Sequence, residues 1–424
     1  MVLCPHEGIA VALAHGYAKA SGRAMAAALH DVVGLQHGCM AIYNAWCDRV
    51  PVLVLGGAGP MSRPARRPWI DWIHTALVQG NLVRDFVKWD DQPADLQSVP
   101  DAFWRAWTTA HAAPRGPVYL CLDAGLQEDE APQGIDPGTA GDHPVPTAPA
   151  PAPRDVAWLA AELAGAELPV LLTDYAGDTD EGFRALAQLA ELLHAPVIDC
   201  GQRFSFPTGH ELNFTGLEGI LEEADLAVCL DVEDPAGRLS RHRPDRVVVV
   251  SPAHLRLRSW AHDFGPLLRG AVTITGSAEA ALPALVDAVR AHGVDEAARA
   301  QRRRRLGGRR ERALAAWRAE AERAEGADAV PAARLAAELR RLLEGERWTL
   351  VHGSLEGWER RLWPLEQRGQ HLGFFVRIEP LNFFDDLCRG HTQILSRTRS
   401  RFNDVTLQRF NDSGGDSPIP PSYF

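Results

Sequence analysis

The sequence predicts an α/β protein built on parallel sheets, with two successive α/β units and the opening of a third. Three observations carry this. Short apolar runs with strand character alternate with helix-period segments, which is the pattern of strands joined by crossover helices. A long stretch rich in Pro, Ala and Gly separates a first block of this alternation from a second. Several of the apolar runs are continuous rather than alternating, as in strands covered on both faces.

In the first block, Glu7 to Ala20 reads as a helix, Ala24 to Leu29 as a short strand and Leu35 to Trp46 as a second helix. Pro51 to Leu55 follows as a buried strand closed by Gly56 and Gly57. After a helical stretch through Trp104 and Trp107, Gly116 to Asp123 supplies another inner strand. The linker, from about Gln127 to Pro153, lacks the residues to build a core.

The second block repeats the alternation, with strands at Pro169 to Thr173, Pro196 to Cys200, Leu226 to Asp231 and Arg246 to Ser251, and a helix at Glu181 to Leu193. Two strands end in Asp, which invites a dinucleotide reading, but no Gly-x-Gly-x-x-Gly follows any of them, so that reading is disfavoured. Glu296 to Leu343 is helical text rich in Ala, Arg, Glu and Leu, and Trp348 to His352 opens a third unit. Beyond Gly373 the alanine-rich composition gives way to Asn, Ser, Thr, Asp and Phe with no sustained period, which reads as a poorly folded tail.

The chain has 424 residues, 46% of them hydrophobic and 23% charged, enough for ordinary cores in two or three domains. Its net charge of -11 and scattered arginines exclude a general nucleic-acid surface. The run Arg302 to Arg305, followed by Arg309, Arg310 and Arg312, is expected to form a solvated helix face. Seven cysteines show no Cys-x-x-Cys spacing and read as buried, reduced thiols of a cytoplasmic protein. No segment reaches the roughly 18 apolar residues of a membrane span, and no signal pattern opens the chain. Trp69, Trp72, Trp89, Trp104 and Trp107 are expected in core or subunit-interface packing rather than in base stacking.

The segment from Cys4-Pro5-His6-Glu7-Gly8 to Gly16-Tyr17-Ala18 resembles the helix of the pyrimidine-binding domain in thiamine-diphosphate-dependent enzymes of the acetolactate synthase and benzoylformate decarboxylase type. The likeness continues through Ala26 to Gly34 and through Asn44 to Leu55. Leu192 to Asp199 and Glu223 to Asp231 resemble strand signatures of the same family's central domain. The resemblance implies an incomplete pyrimidine-binding domain at 1–128 lacking its first strand and helix, and a linker at 129–155. A central Rossmann-like α/β domain follows at 156–294, a helical connection at 295–345, the start of a diphosphate-binding domain at 346–373 and a divergent, disordered tail at 374–424.

By the same resemblance, Glu7 faces the cofactor's pyrimidine and exchanges a proton with it, and His30 relays protons to the substrate-derived intermediate. Gly34 and His37 line the cofactor pocket. A carboxyl buried among Ile9, Val11 and their neighbours would have a raised pKa, as a proton donor near neutral pH needs. Two blander readings stand beside these: Glu7 as a carboxylate at a helix N-terminus, and His30 as a structural histidine. His6 and His15 flank Glu7 without His-Glu-x-x-His spacing, so no metal site is expected.

The implied cofactor is thiamine diphosphate. The Mg²⁺ that the family uses is expected to lack its ligands here, because the sequence has no Gly-Asp-Gly followed by Asn-Asn. Trp348 to Gly373, with Gly357-Trp358-Glu359-Arg360-Arg361-Leu362-Trp363, resembles the opening of the diphosphate domain and breaks off where its glycine-rich stretch should begin. The expectation is a chain cut at both ends with an off-frame tail, testable by reading the other two frames past codon 373.

The function so implied is that of a 2-oxo-acid lyase or carboligase, impaired or inactive in this form, acting on a small-molecule 2-oxo acid as a homo-oligomer. The alternative is a non-catalytic remnant associating with a full-length paralogue.

Overall fold

Two all-parallel sheets organise the computed structural model, which describes residues 1–253, 266–323, 330–351 and 355–372. They are built from nine strands: β1 (Met25–Leu29), β2 (Val52–Ala58), β3 (Asp90–Asp91), β4 (Val118–Asp123), β5 (Pro169–Thr173), β6 (Val197–Asp199), β7 (Leu226–Leu230), β8 (Arg246–Ser251) and β9 (Val272–Thr275). The first sheet has the order β1-β2-β4-β3 and the second β6-β5-β7-β8-β9. Both lie in one compact unit, Met1–Val376.

The two helices that matter most are α1 (Glu7–Ser21) and α2 (Asp31–Cys47), which flank β1 in the chain. The side chain of His6 caps α1 by accepting from the backbone N–H of Gly8 at 3.0 Å, and Gly22, at φ 72°, ends it in the left-handed conformation that glycine adopts freely. Val11, Ala14 and Ala18 of α1 share one core with Leu35, Ile42 and Ala45 of α2 and with Val52 and Val54 of β2. The small residues on both helices let them approach closely. At Gly38 the space a Cβ would need lies 2.8 Å from the Leu29 side chain.

The fold follows the predicted parallel α/β class, with local corrections. The glycines expected to close β2 instead lie inside it, because Tyr119 and Asp31 lean over them. A Cβ on Gly56 would sit 2.1 Å from the Tyr119 hydroxyl and one on Gly57 2.3 Å from an Asp31 oxygen. α2 begins four residues ahead of its expected start. The short edge strands β3 and β9 carried no sequence signal, since two residues, and four of which only Ile274 is buried, give little period to read.

The arginine run is also corrected. Arg303 and Arg304 are exposed as expected, but Arg302 on helix Glu296–Leu306 is 1% exposed and Arg310 is buried too. Arg302 donates to the carbonyls of Ala166, Glu167 and Leu193, which terminate two helices of the second unit. Trp104 and Trp107 pack edge to face, whereas Trp69 and Trp72 are 74% and 73% exposed, which takes them out of the core and leaves them the subunit-interface expectation.

Among the described residues six cysteines are free, of which Cys47, Cys121 and Cys229 are buried and Cys4, Cys39 and Cys200 only partly so. In the third unit Leu350 forms an isolated parallel bridge with His371, and His352 and the tail from 374 lie outside the described residues. Among the described residues no helix is long and apolar enough to cross a membrane.

Candidate functional site

The C-terminal edge of the first sheet gathers the candidate residues, because in a parallel sheet each strand delivers the chain to the same edge before a helix carries it back. β1 ends at Leu29, and His30 then serves as the N-cap of α2 without a side-chain capping bond. Its imidazole is 70% exposed, 3.9 Å from Asp31 and tilted against the ring of His74, with 5.2 Å between centroids.

Glu7 opens α1, and its carboxylate meets α2 across the first turn. Its Oε2 lies 3.4 Å from Nδ1 of His37, whose ring stacks on that of His6 at 5.3 Å and 14°. Gly34 makes room for the carboxylate, since a Cβ there would lie 3.2 Å from Glu7 Cγ and 3.3 Å from Oε1. The structure thus brings Glu7, Gly34 and His37 together and sets His30 at the foot of the same helix.

The expected burial of Glu7 is not found. Ile9, offered as one of its apolar neighbours, is 49% exposed, and the Glu7 side chain is itself 27% exposed. A backbone hydrogen bond at the helix start, with lesser help from His37 and His6, holds the carboxyl below its ordinary value against a modest opposing effect of burial. In this chain Glu7 is therefore an anion near neutral pH, as the helix-terminus reading anticipated.

Sequence reasoning missed Asp31, which occupies the left-handed region at φ 45°. That conformation costs a non-glycine residue about 1–2 kcal/mol, and Asp is among the few side chains that adopt it. It missed Gln79 as well, whose side-chain amide donates to the Gly57 carbonyl at 2.7 Å and the Tyr119 hydroxyl at 2.9 Å. Asp31 lies within the Ala26 to Gly34 likeness without a signal of its own, and Gln79 sits in no periodic segment.

The opposite ends of α1 and α2 are fixed by a buried charge cluster. Asp48 receives His15 at 2.7 Å, Lys19 at 2.6 Å and the Arg203 guanidinium, while Arg203 also donates to the Asp48 carbonyl at 2.6 Å and to Asp178 at 2.7 Å. Burial alone would raise the Asp48 carboxyl, but Arg203, Lys19 and His15 outweigh it and hold it well below the carboxylate range. Burial brings Lys19 down to about 8, with Asp48 pulling the other way.

Next door, Arg49 binds Asp231 and Glu233, which follow β7 where the second sheet changes direction between β5 and β7. Ligands of such sheets bind in that crevice. Here Asp231 and Glu233 are engaged by Arg49, and Asp199 lies 2.7 Å from Arg360.

The thiamine pyrophosphate enzyme N-terminal TPP binding domain matches residues 1–76. Benzoylformate decarboxylase of Pseudomonas aeruginosa is 30% identical over 300 residues, which are 68% of this chain and 55% of that protein. Sulfoacetaldehyde acetyltransferase of Rhodobacter capsulatus is 26% identical over 304 residues, 65% of this chain and 48% of that one. The chain spans about half the length of these curated relatives. The solved benzoylformate decarboxylase of Polynucleobacter necessarius superposes with a TM-score of 0.68 over 94% of this chain and 71% of its own, at 19% identity, a likeness of fold.

Proposed function

The chain belongs to the thiamine-diphosphate-dependent enzyme family, and from that membership we propose that its first sheet presents the pyrimidine-side half of a cofactor site serving a 2-oxo-acid lyase or carboligase. The observation that carries this reading is the placement of the Glu7 carboxylate on the opening turn of α1, with Gly34 opposite it as the residue that leaves it room.

The residues fit the group on that side. Glu7 offers a carboxylate for a protonated ring nitrogen, and His37, hydrogen-bonded to it, fixes which oxygen is turned toward α2. When bound, the cofactor supplies a carbon nucleophile for the carbonyl of a 2-oxo acid. His30, exposed at the end of β1, is placed to hold or deliver a proton beside the substrate.

For Glu7 to donate a proton near neutral pH it must be covered, because burial is the influence that raises its pKa here. The cofactor ring together with a second subunit would provide that cover. Substrate class follows the relatives, an aromatic 2-oxo acid such as benzoylformate being the first to try. The diphosphate and its Mg²⁺ need an anchor beyond the described residues, supplied within a longer chain or by a full-length partner.

The test is a calorimetric titration of the purified chain with thiamine diphosphate and Mg²⁺, beside Glu7→Ala. Binding that the substitution weakens supports the reading. Binding indifferent to it removes Glu7 from the site. A folded chain that gives no heat fits the second reading, a non-catalytic subunit of a full-length paralogue.

A further inference from the structure

We propose that His6, Glu7 and His37 form a site for one late first-row divalent metal ion, zinc by preference, and that this ion competes with the cofactor for the Glu7 carboxylate. One ligand atom from each residue lies within 4.8 Å of the other two. The pair Glu7 Oε2 and His37 Nδ1 stands at 3.4 Å. Two ligands bound to a tetrahedral zinc ion at about 2.0–2.2 Å lie about 3.3–3.5 Å apart, so this pair already has the separation of a coordination edge.

The third ligand is near and adjustable. The His6 ring stacks on that of His37 at 5.3 Å, and both residues are exposed, so a side-chain rotation brings a His6 nitrogen to the ion without repacking any core. Coordination makes His6 release its hydrogen bond to the Gly8 N–H, because a ring nitrogen accepting that bond leaves the proton on the other nitrogen. That exchange sacrifices the cap of α1, which makes His6 the weakest of the three ligands.

The donor set selects the metal. Two imidazoles and one carboxylate suit zinc, nickel, copper or cobalt and disfavour Mg²⁺ or Ca²⁺, which call for oxygen. Exposure of His6 and His37 leaves the fourth position to water. The sequence concealed the site because His37 arrives from a second helix, thirty residues beyond Glu7.

Binding of the metal stands independently of the cofactor reading, and only the competition rests on it. The test is a titration of the full, tag-free chain with cobalt(II) in the absence of thiamine diphosphate, read by visible absorption and followed by zinc displacement. One ion per chain is expected, with His37→Ala and Glu7→Gln each weakening it by about 100-fold, since losing a group merely hydrogen-bonded to a ligand already costs about 10–100-fold.

His37 is exposed, so its removal should leave the far-ultraviolet circular dichroism unchanged. Cys4→Ser should bind as the parent does, because Cys4 is not among the three ligands. Absence of binding, full binding by His37→Ala and Glu7→Gln, or loss confined to Cys4→Ser overturns the site. In a last arm zinc is loaded first and thiamine diphosphate added. Unhindered cofactor binding there sinks the shared-carboxylate claim and leaves the metal site standing.

Discussion

The guanidinium of Arg49 donates to the Asp231 carboxylate at 2.9 Å and so joins residues 182 positions apart, one at the end of α2 and the other at the end of β7. The same guanidinium reaches Glu233 and lies 4.1 Å over the ring of Tyr175. Both carboxylates are almost fully buried, so this guanidinium matters to them far more than a surface cation would.

Replacing Arg49 by methionine keeps the apolar stem and removes the guanidinium that Asp231 and Glu233 share. Loss of one partner from a buried pair typically costs about 3–5 kcal/mol. The expected result for Arg49→Met is a lower urea midpoint with little change in slope. A midpoint equal to that of the parent chain would mean that the two sheets are held together by other contacts.

Asp48 predicts an acid limit. Its carboxyl is depressed in the folded chain relative to the ordinary value of 3.8, so its contribution is complete above that value and is lost as pH falls below it. Stability should decline below pH 3.8 because the unfolded chain takes up a proton at Asp48 that the folded chain, with Arg203 and Lys19 against the carboxylate, resists. In Asp48→Asn this slope should flatten, at the expense of about 3–5 kcal/mol at neutral pH. Chemical denaturation at a series of pH values between 2 and 7 measures both effects, and parallel curves for the two proteins would exclude the assignment.

Gly56 predicts a steric limit. Its missing Cβ would fall 2.1 Å from the Tyr119 hydroxyl and 2.7 Å from two ring carbons, and Tyr119 is fully buried and held by Gln79. Overpacking of this kind costs about 1–3 kcal/mol. Gly56→Ala should therefore lower the melting temperature, and adding Tyr119→Phe should restore only part of the loss because the ring carbons remain. Full recovery in the double variant would place the clash at the hydroxyl alone.

How much of this was legible in the sequence depended on the range of the interaction. β5 and β8 fall on the residues whose apolar runs announced them, and α1 and β1 within a residue or two, because strand and helix periods are local properties. Glu7 and Gly34 were legible only through the family motif, and the burial of Glu7, expected from its neighbours Ile9 and Val11, is not found. Whether a carboxylate is covered depends on what packs over it, which no single segment encodes. Asp48, Arg49 and Arg203 were invisible for the same reason, their partners lying as far as 184 residues away.

The arginine run gives the sharpest contrast between residues of identical type. Arg302 has no carboxylate within hydrogen-bonding reach among its described partners. Its three donor nitrogens are satisfied by the Leu193 carbonyl at 2.6 Å, that of Ala166 at 2.5 Å and that of Glu167 at 3.1 Å. Leu193 closes helix Asp180–Leu193 and Ala166 follows helix Pro153–Gly165, so one guanidinium serves the negative ends of two helix dipoles and several of their orphan carbonyls. Arg302→Met should cost roughly 3–5 kcal/mol, since the carbonyls stay buried while a hydrogen bond to a charged group contributes about 1.5–3 kcal/mol. Arg302→Lys should recover little, because a single ammonium lacks the planar fork that spans three acceptors. Arg304→Met, two residues along on the exposed face, should lie within about 0.5 kcal/mol of the parent. Urea melts of the three variants decide it: equal midpoints for Arg302→Met and Arg304→Met would return the whole run to the solvated face that its sequence suggests.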